Sequence, residues 1–226
     1  VQIQAPFVEM VTLRNVRFTR GGGGLNLRLD GVEYEAGGGG GLLEGCHLLD
    51  TVQGNGNGVS AVNCVFDGDV DALDLGSGVE FRSNAVWQGE VTLASGTVMG
   101  NVFHGAALRA GEATVAGNTF DSASGGGTWL RVGAGDIGVN VYTGAPLRVA
   151  LGTNLSLADV EMSELELFGD GNYVYRCAIT NRLAVAGHSN EISQCDVSDH
   201  QTTNFSISVV GDFNSIRYSR LYSIGG

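Results

Sequence analysis

Val98-Met99-Gly100-Asn101-Val102-Phe103 is followed by Val115-Ala116-Gly117-Asn118-Thr119-Phe120, and then by Ile137-Gly138-Val139-Asn140-Val141-Tyr142. The three segments share one pattern: an apolar residue, two variable positions, a small or amide residue, one variable position, an apolar residue. Working outward, the pattern runs from Leu13-x-x-Val16-x-Phe18 to Ile216-x-x-Ser219-x-Leu221. Further copies begin at Leu29, Leu43, Ala61, Phe81, Leu157, Val174 and Ile192, which makes twelve. Every first and last anchor is apolar. The middle anchors recur at a mean of about 18.5 residues, too short for a helical repeat of ~33 residues or more.

A period of this size leaves room for two or three short strands and their turns. Gly and Asn cluster between the anchors, and β-branched residues lie near them, so strands are favoured over helices. A second signal follows most last anchors. It reads apolar-x-apolar, the mark of one inward face, as in Leu73-Asp74-Leu75, Val91-Thr92-Leu93, Leu130-Arg131-Val132, Leu147-Arg148-Val149 and Leu183-Ala184-Val185. The expected fold is all-β, a parallel β-helix (β-solenoid) of about twelve rungs stacked at ~4.8 Å. One rung cannot bury its own apolar side, so stability comes from its neighbours. Residues 1–10, with Pro6, read as an N-terminal arm or cap, and residues 11–226 as a single β-helix domain. The chain stops directly after the twelfth copy, which reads as a module of a larger assembly.

Four consecutive rungs carry Asn84, Asn101, Asn118 and Asn140 in the middle slot. A buried amide is costly unless its donors and acceptors are filled, so these residues are expected to bond one another as a ladder. Cys46 and Cys64, and likewise Cys177 and Cys195, occupy the same slot on adjacent rungs. Parallel side chains make the disulfide torsion awkward, and free stacked thiols are the expectation, with bridges as the alternative.

Composition narrows the function classes. The chain has 226 residues, 37 of them Gly, and a formal charge of −12 with all twelve cations Arg. Nothing in the sequence resembles a secretory signal or a membrane helix, and an acidic chain without Lys is a poor nucleic-acid binder.

With its Val-x-x-Asn-x-Phe pieces, Val98 to Phe103, Val115 to Phe120 and Ile137 to Tyr142, the chain resembles the right-handed parallel β-helix proteins of the pectate-lyase-like superfamily. That group includes phage tailspikes and other virion β-helices. The resemblance implies a right-handed coil and says little about activity, because the architecture hosts many functions. Polysaccharide lyases of the group often use calcium with an Arg or Lys base, and its galacturonan hydrolases carry Asn-Thr-Asp, Asp-Asp and Gly-His-Gly signatures, none of which occurs here.

Three constellations remain. Asp67, Asp69, Asp71 and Asp74 form the densest acidic cluster, with Asp67, Asp69 and Asp71 the candidate calcium ligands; a solvated acidic turn is the simpler reading, and no other cofactor is implied. Directly after the middle anchor, Val65, Ala85, Val102, Thr119 and Val141 form an outward column that is apolar where it should be wet, which marks a covered surface or an interface. A second outward column is expected to stack Arg109, Arg131 and Arg148. Cations at rung spacing repel unless anions sit between them, so this column would meet acids of a neighbouring subunit or an acidic glycan. The expectation is a non-catalytic structural virion protein, a capsid-decorating or spike β-helix. It would sit in the virion (alternatively outside the cell or on its surface), contacting virion partners as a homo-oligomer, a trimer. The alternatives are a polysaccharide lyase or hydrolase using Asp67, Asp69, Asp71 and Arg82, and a glycan-binding adhesin using the Arg column.

Overall fold

A computed structural model describes residues 2–3, 11–14, 17–18, 27–30, 41–45, 47–48, 52–55, 60–67, 73–121, 128–143, 147–199 and 206–223. All regular structure among them is β-strand, and the strands coil as a parallel β-solenoid with three walls of 17, seven and four strands. The anchors of the sequence pattern are the stacking registers. Leu13, Leu43, Ala61, Phe81, Val98, Val115 and Ile137 pair one above the next on the first wall. Phe18, Leu48, Phe66, Val86, Phe103, Phe120 and Tyr142 do the same on the second. The third wall stacks Leu157, Val174, Ile192 and Ile216.

Twelve rungs was an overcount. The longest unbroken second wall has seven strands, so the solenoid makes about seven stacked turns before it is interrupted, with four strands stacked beyond. Leu29 also does not open a copy of the pattern. It pairs with Ile3 and Gly54, within the column that continues through Leu73 and Val91. Its supposed companions Val32 and Tyr34 lie outside the described residues.

The interior is filled from these registers. Phe66, Phe81, Phe103 and Phe120 are fully buried. Phe103 and Phe120 stack at 4.8 Å between ring centres, and Phe120 and Tyr142 at 5.4 Å. Burying each such ring stabilises the fold by ~2–3 kcal/mol, and no single turn supplies both faces of the stack.

The middle slot is an amide ladder. Asn84 donates its backbone N–H and its side-chain amide to Asn101 Oδ1 at 2.9 and 3.0 Å. Asn101 does the same to Asn118 and Asn118 to Asn140. Each amide also donates to a carbonyl of the preceding turn, as Asn101 does to Phe81 at 2.8 Å. The free, buried thiols fill the same slot: Cys195 Sγ accepts from Cys177 N–H at 3.4 Å, and Ser219 Oγ accepts from Cys195 N–H at 3.1 Å. Contact with Cys195 and burial both push the Cys177 thiol up. Cys46 lies outside the described residues.

Two devices were not anticipated. A second ladder runs through Asn172, Asn190 and Asn214 at a different corner, with Leu155 N–H donating into it. Beside it Gly111, Gly133, Gly152, Gly169, Gly187 and Gly211 stack so closely that a Cβ on any of them would strike backbone of the turn before; at Gly152 it would lie 1.8 Å from the Gly133 carbonyl oxygen.

The residue before the middle slot turns the corner with positive φ: Gly45, Asn63, Ser83, Gly100 and Gly117 in the early turns, then Asp159, Arg176, Gln194 and Tyr218. Val139, at the same place in turn seven, does not adopt it. A β-branched residue strongly disfavours that region. From here the turns part. Residues 141–143 end the second wall, and residues 156–158 pair only onward to 173–175. The first wall crosses, through residues 128–132, 147–151 and 164–167, with the glycine column beside it.

Candidate functional site on the solenoid walls

The second wall places Val65, Ala85, Val102, Thr119 and Val141 in one column, as the spacing predicts. The first four are half-buried and Val141 is 54% exposed, so the described residues leave the column open to solvent. Each strand's short length follows from the corner geometry on either side, which leaves two or three residues per turn on this wall.

Two positions further along the same strands stands a polar column. The Trp87 ring, 42% exposed, stacks on His104 at 3.9 Å between centres. His104 Nδ1 lies 3.3 Å from Asp121 Oδ2, and Thr143 Oγ1 donates to Asp121 Oδ1 at 3.3 Å. The sequence held a signal for this column: each member stands two residues after a member of the apolar strip, on the same face.

On the outer face of the first wall, Arg109 and Arg131 are aligned, and Arg148 is not. The register sets Ala150 beside Arg131 and brings Arg148 beside Trp129 and Glu164. The physical reason is that residues 147–151 read apolar-x-apolar in two frames, Leu147-x-Val149 and Val149-x-Leu151, and the second frame is the one that continues Leu130-x-Val132.

The expected repulsion between stacked cations is resolved by rings and acids of the chain itself. Arg109 Nε lies 3.0 Å from Glu90, and Arg148 Nε 3.2 Å from Glu164. The Trp129 ring sits 5.4 Å from the Arg109 guanidinium and 5.9 Å from that of Arg131. Arg131 also lies over Phe168 at 4.5 Å. No carboxylate pairs with Arg131 among the described residues. Its guanidinium therefore has rings rather than acids as its described neighbours.

The acidic cluster is only partly described. Asp67 lies 3.6 Å from His47, while Asp69 and Asp71 fall outside the described residues. Among the described residues no group of three or more His, Cys, Asp or Glu side chains is placed to hold a metal ion. Arg82 pairs with Glu80, two residues earlier on the same strand, at 3.3 Å.

A bidentate pair marks the late corners. Arg176 donates through Nε and Nη2 to Asp159 at 2.7 and 2.5 Å. These bonds hold the Asp159 carboxyl below the usual carboxylate range and raise the guanidinium in turn.

Comparison with protein-family models, with curated proteins and with solved structures gives no match. The class established by fold is thus a parallel β-solenoid, and function has to be argued from its surfaces.

Proposed function

We propose that this protein is a non-catalytic structural solenoid that works inside a larger assembly, in the manner of a capsid-decorating or spike component of a virion, and that it associates with copies of itself as a trimer through its second wall. The supporting observation is the column Val65, Ala85, Val102, Thr119 and Val141: five in-register outward positions, four of them aliphatic, left uncovered by the described residues. A rigid, regularly spaced apolar strip suits lateral mating of rods, where each turn adds a similar increment of buried area. Size-exclusion chromatography with light scattering tests it. The wild-type chain is expected to run as a trimer and Val102→Asp as a folded monomer. A wild-type monomer, or an oligomer that Val102→Asp leaves intact, overturns the proposal.

A second use is favoured by Arg131. A guanidinium set over Phe168 and near Trp129, with no acid of its own among the described residues, is suited to a carboxylate. It could come from a partner subunit or from a uronic-acid glycan, as in an adhesin. Calorimetry with a uronic-acid oligosaccharide and its neutral counterpart separates these sources: glycan recognition predicts heat with the acidic sugar alone, lost in Arg131→Ala.

A further inference from the structure

We propose that the interruption after turn seven is a docking site for an extended peptide strand supplied by a partner. The inference is independent of the lateral-contact reading above, and a failure of either leaves the other standing.

Between turns seven and eight lies a cleft of about 370 Å³, lined among others by Ile137, Val139, Asn140, Tyr142, Leu157 and Asp159. Its origin is local. At Val139 the positive-φ corner of the other turns is missing, and turn eight does not come down onto turn seven along the second wall. Among the described residues, three sets of groups are left without partners. The first is the end of the amide ladder: Asn84, Asn101 and Asn118 each donate backbone N–H to the next asparagine, but the next slot after Asn140 holds Val160, which has no acceptor. The second is the carbonyl of Asn140. In the preceding turns the residue after the slot donates to the slot carbonyl below, as Val102 does to Asn84 and Val141 to Asn118, both at 2.8 Å. Glu161 makes no such bond to Asn140. The third is the Tyr142 hydroxyl, which is buried without a hydrogen-bond partner. Burial pushes this phenol up.

These vacancies select a strand. Open strand edges present backbone donors and acceptors that an added chain satisfies. An extended segment reading Asn-x-Tyr would repeat what the three turns at Asn101, Asn118 and Asn140 offer. Its Asn oxygen would accept from Asn140 N–H, and its backbone would bridge Asn140 to Glu161. Its ring would stack on Tyr142 opposite Phe120, continuing the aromatic column. A small amphipathic molecule could satisfy Tyr142 but would leave both edges unpaired.

The probe is the peptide acetyl-Gly-Asn-Val-Tyr-Thr-amide, which copies residues 140–143 behind a glycine, labelled for fluorescence anisotropy against the full chain. Saturable one-to-one binding is expected. Affinity should fall about tenfold or more with a backbone N-methylated peptide. The same loss is expected in Val139→Gly, where a regular corner closes the gap. Hydrogen exchange on the wild type should show new protection at residues 140–143 and 161–162. No saturable binding, equal binding of the N-methylated peptide, or protection confined elsewhere overturns the proposal. If Val139→Gly does not fold, as judged by circular dichroism, the N-methylated control and the exchange pattern decide alone.

Discussion

Asn101 shows most directly how single residues hold this fold. Its amide receives two donors from Asn84 and gives to Asn118 and to the Phe81 carbonyl, all in the buried interior. Asn101→Ala strands the Asn84 N–H and the Phe81 oxygen together. At ~1–3 kcal/mol for each unsatisfied group, a loss of about 3 kcal/mol is expected in denaturant unfolding. Cys195→Ser should cost about 1 kcal/mol or less, because Ser219 already accepts the same bond in the next turn. A second residue-scale expectation concerns pH. Asp159 is held low by Arg176, so the favourable contact is complete above the unfolded carboxyl range and disappears as pH falls through the lowered folded value. A carboxyl-carbon NMR titration should show the Asp159 midpoint moving up in Arg176→Gln; an unchanged midpoint would remove the pair as its cause. At this scale the sequence was informative where chemistry and spacing coincide. The asparagines at 84, 101, 118 and 140 could be read as a ladder because buried amides need one another. Asn172, Asn190 and Asn214 escaped because they serve another corner, although each stands three residues after a glycine in a Gly-x-x-Asn spacing.

Among elements, the corners decide more than the strands. Apolar anchors place strands well, but a period of two cannot fix register when alternation runs on. That is why the pattern alone aligns Arg148 with Arg131, and why it starts a turn at Leu29 although Leu27-x-Leu29 is itself an apolar-x-apolar strand. The glycine column was invisible for a different reason: its cause is the carbonyl of a neighbouring turn, which no local pattern records. It makes a sharp contrast in mutational cost. Gly152→Ala drives a Cβ into Gly133 backbone and should destabilise by about 3 kcal/mol or prevent folding. Gly78→Ala meets no atom within 4 Å, and its cost should be limited to the ~1–2 kcal/mol of a left-handed alanine. Equal losses at the two sites, measured by thermal unfolding, would show that crowding between turns is not what the column is for. Val139 belongs to the same lesson. The pattern treats its position as variable, whereas the equivalent corners of the other described turns adopt positive φ, which a β-branched side chain disfavours.

The whole molecule is a one-dimensional stack, so its stability is a sum of turn and neighbour contributions, and the interruption divides that sum. Below it, three registers tie each turn to the next: the two anchor columns and the apolar-x-apolar wall. Across it, the wall of residues 128–132, 147–151 and 164–167 and the glycine column beside it continue. Coupling between the halves should therefore be weaker than coupling within either. Native-state hydrogen exchange on Asn101→Ala tests this directly. Amides of residues 79–121 should lose protection by the full global amount, because their ladder and core have been cut. Those of residues 173–197, which carry the second ladder and the thiol slot, should keep most of theirs, since their own bonds reach Asn190 and Asn214 rather than Asn140. A uniform loss along the chain would mean that one continuous wall suffices to make the solenoid a single cooperative unit. The cleft would then be a local opening in a rigid rod rather than the joint between two.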